Sequence, residues 1–130
     1  MSGIFIKPTV AEQFRTFLAR GRVLFFSAPC GCGKTALAEE LLKGKAVYRL
    51  FAGEADFAFP QEEGWDILLI EDFQRLQEDA EQKALCEWIR NYPEKRFVLL
   101  SRGTPPGYLM AFQYAGLMQV LDTYALLFDR

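Results

Sequence analysis

The segment Val23-Leu24-Phe25-Phe26-Ser27-Ala28-Pro29-Cys30-Gly31-Cys32-Gly33-Lys34-Thr35 joins a buried strand to a phosphate-binding signature. Val23 to Phe26 is an unbroken apolar run ending at Ser27, which suits a strand covered on both faces rather than one with a wet side. Ala28 to Thr35 has the spacing of a Walker A loop: a small residue, four intervening positions, then Gly33-Lys34-Thr35. Beyond it, Leu37, Ala38, Leu41 and Leu42 recur at helical spacing, Glu39 and Glu40 face outward, and Gly44 closes the helix. A strand, a glycine loop and a helix in that order aim backbone N–H groups and the positive helix end at one point, where a phosphate fits.

The residue types suit that task one by one. Gly31 and Gly33 allow dihedrals and a close approach that a Cβ would obstruct, and Ala28, Pro29 and Cys32 complete the loop around the phosphate. Lys34 is expected to reach the β- and γ-phosphates as a compact cation, and the Thr35 hydroxyl to ligate Mg²⁺. The competing reading, a plain glycine turn with an exposed lysine, leaves the flanking strand and helix unexplained.

Around this segment the chain alternates short apolar runs with helical stripes. Thr9-Val10-Ala11-Glu12 has the form of a capping box, and Val10, Phe14, Phe17 and Leu18 follow at helical spacing up to Gly21. Ala46 to Phe51 is expected to form a second strand, 52–64 an irregular acidic loop around Pro60, and Asp66 to Ile70 a third strand. Ala80, Ala84, Leu85, Trp88 and Ile89 make a helical face that Pro93 ends; Phe97 to Leu100 reads as a fourth strand. Pro105-Pro106 opens a short amphipathic helix through Phe112, and Met118 to Leu121 is a fifth strand. This alternation predicts a single α/β domain over residues 1–130, a parallel sheet with helices on both faces. The apolar tail Ala125-Leu126-Leu127-Phe128 has nothing left in the chain to cover it, so the sequence is expected to be part of a longer protein.

A second chemical signal ends the third strand. Ile67-Leu68-Leu69-Ile70-Glu71-Asp72 delivers two carboxylates to the carboxyl edge of the sheet, where ligands of open α/β sheets collect. The expected roles are Glu71 to Mg²⁺ and Asp72 to the attacking water, with the reverse open. Ser101-Arg102 ends the fourth strand at the same edge, where Arg102 could sense the γ-phosphate or stabilise its developing charge.

Composition narrows the chemistry. The 130 residues are 51% hydrophobic, 25% charged and 15% aromatic, with Phe at 12 positions, ample material for a core without disulfide or metal staples. There is no histidine, which excludes Ser-His-Asp and Cys-His catalysis, His-ligated metals and an imidazole base. A net charge of -2 gives no field to draw nucleic acid or anionic lipid, so any contact with DNA would belong to another module. No apolar run is long enough to span a bilayer, and no membrane partner is expected. Three cysteines (Cys30, Cys32, Cys86) and no leader pattern point to a reducing cytoplasm. Cys30-x-Cys32 lacks the further ligands of a metal site, and Gly31 between them serves phosphate. The phenylalanines and Trp88 read as core rather than a base-stacking platform, whereas Trp65, beside Gly64 at a strand start, is ambiguous between the two.

Taken together, Leu24 to Thr35, Leu68 to Phe73 and Phe97 to Arg102 resemble the nucleotide-binding domain of the STAND ATPases, in particular the MalT-like, large LuxR-family bacterial transcription regulators. The likeness runs from about Lys7 to Phe128 and includes Pro105-Pro106, Leu109 and the segment Gly116 to Leu121. It implies an AAA+-related P-loop core with strand order 5-1-4-3-2. It also implies a switch in which ADP holds the resting form, and inducer plus ATP permit self-association and transcription activation. Gly31, Gly33, Lys34 and Thr35 match the phosphate loop, Glu71 and Asp72 the Walker B acids, and Arg102 a sensor-like arginine. The first of those acids is usually Asp in the family; here it is Glu71, one methylene longer. Family members also carry a helical lid, a winged helix, a repeat-built sensor and a helix-turn-helix, none of them within these 130 residues.

Two other functions compete with an ATP-driven switch. A small-molecule kinase would need a lid of arginines, and no basic cluster follows the fourth strand. A nucleotide-binding interaction domain that does not hydrolyse would keep the Walker A signature and lose phosphate release.

Overall fold

A computed structural model of the chain describes residues 8–27 and 34–122. The strands β1 (Val23–Ser27), β2 (Val47–Phe51), β3 (Ile67–Glu71), β4 (Arg96–Ser101) and β5 (Met118–Asp122) form one sheet in the order β2-β3-β4-β1-β5. Every neighbouring pair is parallel. Read from the other edge this is 5-1-4-3-2, and the helices α1 (Pro8–Arg20), α2 (Lys34–Leu41), α3 (Asp79–Asn91) and α4 (Met110–Tyr114) complete an α/β three-layer fold.

Strand alternation sorts the core into two halves. Val23, Phe25, Leu68, Ile70, Phe97, Leu99 and Met118 face Leu85 and Ile89 of α3 and Phe112 of α4. Leu24, Phe26, Ile67, Leu69, Val98, Leu100 and Leu121 face Phe14 and Phe17 of α1, Ala38 of α2 and Leu42 just beyond it. The three central strands are apolar on both sides because both sides are covered, as their unbroken runs predict.

The first helix begins at Pro8, one residue before the Thr9 that the capping-box pattern would place outside it. A proline at the first helical position loses no hydrogen bond, and its fixed φ suits a helix start, so Pro8 rather than Thr9 sets the boundary. After Pro106 the chain makes a 3-10 turn, Gly107–Leu109, before α4 proper. The other expected elements stand within a residue or two of their sequence-derived limits. Gly44, at φ +82, closes α2 in the left-handed conformation that glycine adopts without cost.

The crossover from β2 to β3 contains no helix. Residues 52–66 run back along the sheet as an irregular segment, pinned by aromatic rings. Phe59 packs on Trp65 (5.3 Å between centroids), Trp88 (5.0 Å) and Tyr92 (4.5 Å), and Lys95 Nζ stands 4.3 Å over the Trp65 ring. Trp65 is 6% exposed, which settles it as core. Its indole N–H donates to the Glu62 carbonyl, so its burial strands no polar atom.

Arg22 ties α3 to the sheet. Its guanidinium donates to the carbonyls of Ile89 (2.5 Å) and Tyr92 (2.6 Å) at the helix C-terminus and of Lys95 (3.1 Å) just before β4. Pro93, four residues after Ile89, has no N–H to offer that carbonyl; the arginine supplies the missing donor and a cation at the negative helix end.

Candidate functional site

The carboxyl edge of the sheet brings together the strand ends that carry Ser27, Glu71 and Ser101. β1 ends at Ser27, immediately before the glycine loop, and α2 opens with Lys34 and Thr35. Residues 28–33, including Ala28, Pro29, Gly31, Cys32 and Gly33, lie outside the described residues, as do Cys30 and the tail from 123 onward. The register pairs Ser27 with Ser101 of β4 on one side and with Asp122 of β5 on the other. Ile70 pairs with Leu99, so Glu71 stands level with Leu100, one rung before Ser101. Because β4 lies between β3 and β1, the acids are two strands from the start of the glycine loop, roughly 10 Å at ordinary strand spacing.

Glu71 continues the alternation of Ile67 and Leu69 and so falls on the α2 side of the sheet. Its side chain is 13% exposed, and its Oε2 lies 2.8 Å from Nε of Arg49 on β2. The same guanidinium holds Glu39 of α2 through Nη2, and these two carboxylates draw its pKa upward, the Glu39 hydrogen bond more than the Glu71 charge. Sequence reasoning misses Arg49, since an arginine between Tyr48 and Leu50 on an edge strand reads as an ordinary surface cation; the register Phe51↔Glu71 is what brings it to the acid.

Asp72 is exposed, with φ 53 and ψ 44, the only non-glycine residue at positive φ among the described residues. Aspartate tolerates this left-handed conformation better than most residues. The turn it makes swings the chain into a 3-10 turn, Phe73–Arg75, that buries Phe73 edge-on against Phe25 at 5.7 Å. Arg75 packs beneath Gly53: a Cβ on Gly53, itself at φ +88, would come within 2.8 Å of Arg75 Nε. The end of β2 is thereby held against the turn after β3.

The end of β4 is laced to both neighbours. Ser27 Oγ donates to the Gly103 carbonyl at 2.8 Å, and the Gly103 N–H donates to Ser101 Oγ at 3.1 Å, which gives the 2% exposed Ser101 a partner. The Arg102 N–H donates to Gln74 Oε1 at 3.1 Å, while the Arg102 side chain is exposed. Gln74 borders a cavity of about 240 Å³ with Ser101, Gly103, Thr104 and Tyr108.

Cys86 is buried on α3 among Leu85 and Ile89, and burial pushes its thiol pKa up. That is a core side chain rather than a reactive one. Among the described residues no group of three or more Cys, Asp or Glu side chains could hold a metal, and no helix is long and apolar enough to cross a membrane. The donors at this edge are oxygens, and a carboxylate or two completed by phosphate and water is what Mg²⁺ takes at a nucleotide. The sequence matches no protein-family model and no curated protein.

Proposed function

We propose that the chain is an ATP-binding, slowly ATP-hydrolysing switch domain of the kind carried by MalT-like LuxR-family regulators. The observation that carries this reading is the placement of Glu71-Asp72 and Arg102 at the carboxyl edge, at the ends of β3 and β4, of which β4 lies beside the strand that leads into the Walker A segment and β3 one strand further. Parallel sheets of this class take ligands at that edge, and two strands of separation leave room for a triphosphate tail with its cation.

In this reading the amides of residues 28–33 and the amino end of α2 bind the phosphates, and Lys34 neutralises them. Glu71 and Thr35 would hold Mg²⁺, which when bound draws charge from the γ-phosphate. Asp72 orients or accepts a proton from water, and Arg102 reads the γ-phosphate. Self-association and DNA binding belong to the longer regulator, in the cytoplasm.

The Arg49–Glu71 ion pair favours one other reading, a nucleotide-binding domain without hydrolysis, because a cation already neutralises the first acid. Phosphate release discriminates. The switch reading expects purified protein to release phosphate from MgATP at a slow rate that the double variant Glu71→Gln/Asp72→Asn abolishes. Tight MgATP binding with no release above buffer would favour the second reading; neither binding nor release would refute both.

A further inference from the structure

Two features of Gln74 are unexplained by packing. Its Oε1 accepts the N–H of Arg102, a residue 28 positions away and just past the end of β4. That bond fixes the orientation of the amide group, since the opposite one would set two donors against each other. The Nε2 is then placed without choice, and it is buried with no hydrogen-bond partner among the described residues. A buried amide nitrogen left unpaired costs about 1–3 kcal/mol, and apolar side chains of similar size would avoid that cost.

The position of Gln74 gives the cost a use. It sits two residues after Asp72, inside the turn that the strained Asp72 backbone starts and that Phe73 anchors on Phe25. Its other end holds the main chain at Arg102, whose own strand end is tied through Gly103 to Ser27 at the end of β1. The acid-bearing turn, the arginine and the phosphate-loop strand are therefore joined through one side-chain amide and one serine hydroxyl.

From these contacts we infer that Gln74 is a positioning residue that couples the Asp72 turn to Arg102, so that the arginine's response to the γ-phosphate depends on it. This rests on the nucleotide-switch reading above. Gln74 touches neither substrate nor reacting atoms in this account; it acts through the backbone of Arg102.

The test is a double-mutant cycle read as γ-phosphate discrimination, the ratio of MgADP to MgATP dissociation constants, which needs no turnover. Arg102→Ala should bring the ratio close to one. Gln74→Ala should lower it at least threefold with melting temperature within a few degrees of wild type. The double variant should show no loss beyond Arg102→Ala alone, and Gln74→Glu, which keeps the acceptor for the Arg102 N–H, should recover more of the ratio than Gln74→Ala. Amide exchange at Arg102 in nucleotide-free protein should speed up in Gln74→Ala and slow again in Gln74→Glu. Additive losses, or a Gln74→Ala ratio equal to wild type, would overturn the coupling while leaving the switch reading intact. If wild-type protein binds neither nucleotide, the switch reading falls and this role with it.

Discussion

Arg49 Nε stands 2.8 Å from Glu71 Oε2, so the first of the two edge acids meets a cation from the neighbouring strand. With side-chain exposures of 38% and 13% the pair is worth little to the fold, about 1 kcal/mol or less. Its consequence is local charge: a guanidinium beside a carboxylate repels any divalent ion that approaches. Arg49→Met should lower the Mg²⁺ concentration for half-maximal MgATP binding about fivefold, roughly 1 kcal/mol of relieved repulsion. A Mg²⁺ titration at fixed ATP measures this, and a higher requirement in the variant would mean that Arg49 serves the site by orienting Glu71.

Asp72 has two possible duties, making the left-handed turn and handling water. Asp72→Asn keeps the conformational tolerance and removes the charge, so it should leave the melting temperature unchanged and cut phosphate release at least tenfold. Asp72→Ala should lose release and also about 1 kcal/mol of stability, because alanine resists positive φ. Full activity in Asp72→Asn would leave Asp72 as a turn residue only.

Arg22 gives a control remote from the edge. Arg22→Met removes the guanidinium from the Ile89, Tyr92 and Lys95 carbonyls, of which Tyr92 keeps the Lys95 N–H, and should cost about 2 kcal/mol in denaturant unfolding. Arg22→Lys should regain less than half of that, since an ammonium cannot fork to three carbonyls. Nucleotide affinity in the folded variants should match wild type.

Stability should fall on the alkaline side. Burial pushes the Cys86 thiol up, and burial followed by the nearby Cys86 charge pushes the Tyr108 phenol up. Both groups hold protons more tightly folded than unfolded, so their contribution is whole below the unfolded values of about 8.5 and 10 and is lost as pH rises through and beyond them. Melting temperature should therefore drop between about pH 9 and 11, and Tyr108→Phe should make the upper part of that drop shallower. An unchanged slope in Tyr108→Phe would remove tyrosine from this account.

Much of the architecture is legible in the sequence because burial on both faces leaves a simple mark. Val23 to Phe26, Ile67 to Ile70 and Phe97 to Leu100 are unbroken apolar runs, and they are the three central strands. Their order is not written there: nothing in Phe97-Val98-Leu99-Leu100 says that this strand lies between the other two, and the 5-1-4-3-2 expectation comes from the family likeness alone. Trp65 is ambiguous in sequence because its burial depends on Phe59 and Lys95, brought to it by an irregular crossover with no periodicity. Arg22, Arg49 and Gln74 are invisible for a related reason. Each is a long polar side chain in an unremarkable local context, and its partner is fixed only by register or by a turn dozens of residues away.

The central claim is that the chain binds a nucleoside triphosphate through the segment opening α2, and isothermal calorimetry with MgATP on wild type and Lys34→Ala tests it most directly. The account predicts saturable heat for wild type and none for Lys34→Ala at an unchanged melting temperature. Equal binding by the two proteins, or no heat from wild type with any nucleoside triphosphate, would contradict it.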